Sequence, residues 1–153
     1  MKAQDMLPNY DQVLADLCGL IIQRQKEDPL LFGMVGAAVV DKNGNIVLNT
    51  SHKKDNKWLH AERCAVTSYK LRHGNIGKDA VIVTTLSPCS DAMADRAGNS
   101  CTDFISDLGI ETVYYGYDDP SQSKRFVTFD LIETKNAQIK ELCKLFADIF
   151  LSN

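Results

Sequence analysis

Ala80-Val81-Ile82-Val83-Thr84-Thr85-Leu86-Ser87-Pro88-Cys89 is the stretch on which the fold turns. Its first seven residues form an unbroken apolar and β-branched run, the pattern of a central strand buried on both faces. The run stops at a proline and a cysteine, so whatever Cys89 does, it does at the end of a buried strand. Upstream stands His60-Ala61-Glu62, and downstream a second cysteine, Cys101. A catalytic zinc takes three protein ligands, usually His nitrogen and Cys thiolate, and leaves the fourth position to a water whose pKa falls to about 7. His60, Cys89 and Cys101 supply that ligand set. Glu62 is then the group that takes a proton and hands it on. Residues two apart point to opposite sides of a regular helix, so His60 and Glu62 converge only at a helix mouth. A helix therefore starts at residue 60, with its positive end favouring thiolate at the cysteines.

Outward from this centre, Val13, Leu14, Leu17, Leu20, Ile21 and Ile22 recur at helical spacing and predict an amphipathic helix over Tyr10 to Gln25, closed by Asp28-Pro29. Gly33 to Asp41 reads as a strand, Asn43-Gly44 as a tight turn, and Ile46-Val47-Leu48 as the start of the return strand. Thr50 to Leu59 reads as a loop leading to a helix from His60 to about Arg72, stopped by Gly74. After the central strand, Thr102 to Leu108 is a helix stopped at Gly109, Glu111 to Gly116 a strand parallel to its predecessor, and Val127 to Ile132 a fifth strand. Ile139, Leu142, Leu145, Phe146 and Ile149 line one face of a last helix, Ala137 to Leu151. Cys18 and Cys143 read as small core residues. Cys64, one turn beyond His60, is either a further ligand or a core residue, and His73 beside Gly74 interacts with its helix dipole.

A chain of 153 residues suits one domain, residues 1–153, burying roughly two thirds of its unfolded surface. Met1 to Asn9 has no apolar stretch of the kind a signal peptide needs, and the longest apolar run, Leu30 to Val40, is too short to span a bilayer. The expectation is a cytoplasmic protein with no membrane partner. Its five cysteines read as thiols and metal ligands rather than a disulfide framework. A net charge of −3 argues against non-specific grip on a phosphate backbone, which rests on many Lys and Arg contacts. It leaves room for local basic patches at Lys53, Lys54 and Lys57, at Lys70 and Arg72, and at Lys124-Arg125, with a solvated face as the plain alternative.

His-x-Glu followed by Pro-Cys-x-x-Cys is the mark of zinc nucleobase deaminases, and the chain resembles the cytidine deaminase-like superfamily in the branch whose first ligand is His. It departs in one respect: eleven residues separate Cys89 from Cys101 where most of the branch has two. A longer spacer containing Gly and Arg is similar to that of the riboflavin-pathway pyrimidine deaminases. Met34-Val35-Gly36-Ala37 resembles their first strand, and Tyr117-Asp118-Asp119-Pro120-Ser121 the Asp-Pro segment after their fourth. The Asn-Pro pair they carry before the first strand is replaced by Phe32-Gly33. The resemblance implies a three-layer α/β/α fold with a five-stranded mixed sheet, a zinc cofactor and a homo-oligomer. It also implies hydrolytic deamination of a small amino-pyrimidine nucleoside or nucleotide.

Substrate residues are less sharply marked. Asn49 stands eleven residues before His60, where transfer-RNA adenosine deaminases carry a substrate-contacting Asn; the bland alternative is a strand-end residue making a turn. His52 comes near a loop His of the riboflavin type or is a surface residue of a charged loop. Ala61 belongs with the substrate-binding candidates by its place between ligand and carboxylate. Lys53, Lys54 and Arg96 are candidates for holding a phosphate, Arg96 as a bidentate fork from the spacer. Two other functions fit the motifs. One is a deaminase of bases in RNA or DNA, which needs Lys53, Lys54, Lys57 and Arg125 along a channel with exposed aromatics such as Trp58. The other is a zinc-stabilised nucleotide-binding module without turnover, against which the presence of Glu62 speaks.

Overall fold

A computed structural model of the chain describes residues 9–89, 100–119 and 128–151. In chain order these hold α1 (Tyr10–Glu27), β1 (Phe32–Val40), β2 (Ile46–Lys54), β3 (Lys57–Leu59), α2 (Ala61–His73), β4 (Val81–Leu86), α3 (Cys101–Asp107), β5 (Thr112–Tyr117), β6 (Asp130–Glu133) and α4 (Ala137–Leu151). The strands form one sheet in the order β3-β2-β1-β4-β5-β6. β1 pairs antiparallel with β2 and β4, whereas β4, β5 and β6 run parallel. The apolar run read as the central strand is β4, and every one of its residues is buried.

Alternation along β1 divides the molecule into layers. Ala38 and Val40 face α1 and α4, packing with Leu14, Leu17, Ile21 and Phe146; Ala37 and Val39 face α2 and α3, packing with Ala65, Val66 and Ile105. The result is the three-layer α/β/α fold that the pattern predicts. α1 begins where the side chain of Asn9 accepts the backbone N–H groups of Asp11 and Gln12, a standard satisfaction of orphan helix donors. Gly74 ends α2 with a φ of 80°.

The sheet has six strands, not five. The extra one is β3, within the stretch expected to be a loop. Asp55 and Asn56 both adopt positive φ (53° and 62°), which closes a two-residue turn and pairs Lys54 with Lys57 and Lys53 with Trp58. The last strand also lies later than the apolar pattern suggests, at Asp130–Glu133. Among the described residues no helix is long and apolar enough to cross a membrane.

Candidate metal centre and cavity

Three elements deliver the central cluster. β4 ends at Leu86 and hands the chain through Ser87 and Pro88 to the buried Cys89. His60 is the residue before α2, with extended backbone and no capping bond from its ring, so the imidazole is available to the cluster. Cys101 opens α3, and its N–H donates to Cys89 Sγ at 3.2 Å while Thr102 binds Cys89 O through both its N–H (3.0 Å) and its hydroxyl (2.9 Å). The long spacer therefore returns the chain to the point it left.

His60 Nδ1 stands 3.2 Å from Cys101 Sγ and 3.7 Å from Cys89 Sγ, and the three donor atoms lie within 4.8 Å of one another. Donors placed tetrahedrally around zinc at its usual bond lengths would be roughly 3.5–3.8 Å apart, and one imidazole with two thiols is a zinc-type donor set. The residues fit the ion. Hydrogen bonds from the Cys101 side chain, with further help from His60 and the Cys101 N–H, hold the Cys89 thiol down to about 5 against the opposing effect of burial. Cys101 moves the opposite way, raised as the donor of that bond and by burial. The pair thus shares one proton, with Cys89 as the thiolate.

Glu62 lies in the first turn of α2 and is only 3% exposed. Thr84 Oγ1 from β4 is 3.2 Å from its Oε1. Burial raises its proton affinity, partly offset by the charge on His60 and by hydrogen bonds from Cys101 and Thr84. His60, Ala61, Glu62 and Cys89 together line a cavity of about 270 Å³. Its walls continue through Val35, Ser51, Leu86 and Ser87, and Trp58, Phe150 and Leu151 complete it. A second carboxylate, the buried Asp119, also lines it; its N–H donates to Ser87 Oγ at 2.8 Å, and Ser87 Oγ donates to Asp118 at 2.9 Å.

Of the residues marked by sequence, the structure gathers His60, Ala61, Glu62, Cys89 and Cys101. Asn49 is placed elsewhere and does not line the cavity: its side chain accepts from Arg24 and donates to Ser68 Oγ at 2.9 Å and Cys64 O at 3.3 Å, which ties β2 to α1 and α2. That is the plain strand-residue alternative, realised through long-range contacts rather than a turn. His52 faces Cys64 Sγ at 3.3 Å, which makes Cys64 its neighbour and leaves Cys64 outside the three-residue group. Lys53 and Lys54 lie on β2 and do not line the cavity, although Lys53 shares a sheet face with its cross-strand partner Trp58. Arg96 falls outside the described residues. Sequence reasoning missed Asp119 and Phe150 as cavity residues. The signal for the first was present, an Asp-Asp-Pro directly after a strand parallel to β4; Phe150 had none, because only the packing of α4 brings it there.

A family model described as the cytidine and deoxycytidylate deaminase zinc-binding region matches residues 10–117. Diaminohydroxyphosphoribosylamino-pyrimidine deaminase of Schizosaccharomyces pombe is 30% identical over 100 residues, 65% of this chain; the chain covers 24% of that protein's length. Among solved structures, the diaminohydroxyphosphoribosylaminopyrimidine deaminase/5-amino-6-(5-phosphoribosylamino)uracil reductase of Thermotoga maritima superimposes with a TM-score of 0.61 at 24% identity, over 94% of this chain and 43% of that one. The Rib2 deaminase of Aspergillus oryzae superimposes with a TM-score of 0.54 at 17% identity, over 94% of this chain and 99% of that one. At these identities the structural likeness is one of fold.

Proposed function

The chain belongs to the cytidine and deoxycytidylate deaminase family, and on that premise we propose that residues 1–153 form one zinc-dependent domain that hydrolytically deaminates a small amino-pyrimidine nucleoside or nucleotide. The observation that carries this reading is the buried Glu62 carboxylate, set in the same cavity wall as His60 and Cys89. His60, Cys89 and Cys101 would hold the ion, which when bound supplies Lewis-acid activation of water. Glu62 takes the proton that water gives up and delivers it to the departing amino nitrogen, so that a ring C–NH2 and water become C=O and ammonia. Its raised proton affinity suits the delivery step, because a carboxyl that holds a proton near neutral pH can return it. Thr84 fixes the orientation of Oε1, and the apolar residues Val35, Leu86 and Trp58 limit the water that reaches it.

The test is ammonia release by zinc-loaded protein from cytosine, deoxycytidylate, guanine and an aminopyrimidine ribotide. One amino-pyrimidine should be turned over, and Glu62→Ala should lose about 10² to 10⁴ in rate, the usual worth of a general acid–base group, with its zinc content unchanged. No ammonia from any of the four, or full activity in Glu62→Ala, would overturn the reading.

A further inference from the structure

Trp58 and Phe150 have a place in the molecule that the reaction does not require. Both, with Leu151, line the catalytic cavity of about 270 Å³, and the same three line a second cavity of about 280 Å³. The second cavity is walled by Gln25, Pro29, Phe32, Gly33 and Met34 and touches none of the metal-ligand residues. The two spaces are thus neighbours separated by an aromatic partition, an indole and a phenyl ring in T-shaped contact with centroids 6.1 Å apart and planes at 71°. That arrangement is the favourable one for two quadrupolar rings.

The partition is held from behind. A Cβ on Gly33 of β1 would lie 3.1 Å from Trp58 Cζ3 and would overlap Ser51 Oγ. The indole therefore rests directly on backbone that carries no side chain, and it has no room to retreat toward β1. At its other edge it is anchored through the Lys53–Trp58 pairing of the β2–β3 hairpin. The catalytic cavity is consequently fixed at a volume just below the range of about 300–1,000 Å³ typical of small-molecule sites.

We propose that the Trp58–Phe150 pair is a specificity-determining partition, which restricts the reacting heterocycle to a single ring and excludes two-ring amino-heterocycles by closing off the second cavity. The proposal rests on the deaminase reading above for its reacting group and adds to it the ring class of the substrate. A six-membered ring reaches Glu62 without meeting the partition. A fused imidazole extends past that ring and needs space that lies beyond Trp58 and Phe150. Shape exclusion by a rigid wall is the means by which a pocket rejects a larger analogue, whereas a merely apolar pocket discriminates weakly.

Two readouts separate this proposal from the deaminase reading. Trp58 is the sole tryptophan of the chain, so quenching of its fluorescence by cytosine or 2-aminopyrimidine, compared with guanine or adenine, measures binding at the partition whether or not turnover occurs. The single-ring compounds should quench at concentrations at least tenfold below the two-ring compounds in the wild type, and Phe150→Ala should shrink that difference to about threefold or less. In the turnover assay the ratio of two-ring to single-ring kcat/KM should rise at least tenfold in Phe150→Ala. Trp58→Leu, which changes the other half of the partition, should raise it in the same direction. Equal quenching by both classes in the wild type, no quenching by either, or an unchanged ratio in both variants would overturn the partition. Absence of turnover together with class-selective quenching would overturn the deaminase reading and leave the partition standing.

Discussion

Gly116 on β5 is a position where one methyl group should have a measurable cost. A Cβ built there would overlap Cys143 Sγ, lie 2.9 Å from Cys143 Cβ and lie 3.1 Å from the carbonyl oxygen of Thr85. Thr85 belongs to β4, the buried centre of the sheet, and Cys143 to the face of α4 that packs against the sheet with α1, so neither neighbour is free to step aside. Overpacking of a close-packed interior costs about 1–3 kcal/mol, and a clash shared between backbone and a helix Cβ belongs in the upper half of that range. Taking about 2 kcal/mol or slightly more, Gly116→Ala should lower Tm by roughly 4 to 9 °C for a domain of this size. Gly36→Ala is the internal comparison. Its Cβ would meet only side-chain atoms of Leu17 and Ile21, at 3.2 to 3.5 Å, and should cost less than half as much. Replacing Cys143 by Ala removes the sulfur and leaves the Cβ contact, so the double variant Gly116→Ala/Cys143→Ala should recover about half of the loss, a coupling of roughly 1 kcal/mol. Thermal unfolding of the four proteins at one pH and one zinc concentration provides the measurement. An undisturbed Tm in Gly116→Ala, or strict additivity with Cys143→Ala, would refute the argument that β5 and α4 approach through this glycine.

Metal analysis of single variants should find that Cys101→Ser loses zinc and Cys64→Ser keeps it, since Cys64 stands with His52 and outside the three-donor group; the reverse result would place the third ligand on α2. Asp41 provides a pH signature. Burial works against its charge but is outweighed by hydrogen bonds from the Asn45 side chain, Tyr69 and the backbone of Asn45 and Asn43, so its carboxyl is held below the usual range. A carboxylate depressed in the folded state stabilises above its unfolded pKa and loses that contribution as pH falls through the folded one. The wild type's advantage over Asp41→Asn should therefore shrink between about pH 5 and pH 2, and an advantage that grows on acidification contradicts it. Arg96→Ala should raise the Michaelis constant for a nucleotide several-fold and hardly alter it for the matching nucleoside; an equal effect on both removes the phosphate role.

The chemistry of the centre was legible because it is written in short, local spacings. His60-x-Glu62 allows both groups into one pocket only at a helix start, and Pro88-Cys89 at the end of an apolar run can only be a strand end, so two ligands and the carboxylate follow from neighbours in the chain. The layers followed for a similar reason, since periods of two and of 3.6 residues are properties of short segments. β3 was missed because a run of lysines around Asp55-Asn56 carries no alternation; its pairing comes from two positive-φ residues and from the edge that β2 presents. Asn49 was misplaced because spacing along the chain says nothing of Arg24 or Ser68, which reach it from other elements. The shape of the cavity belongs to tertiary structure alone. Cys101 meets Cys89 across an eleven-residue spacer, and Phe150 meets Trp58 from nearly the whole length of the chain away. Such contacts arise where layers close over a sheet, and the free energy that selects them is that of the whole core rather than of any stretch within it.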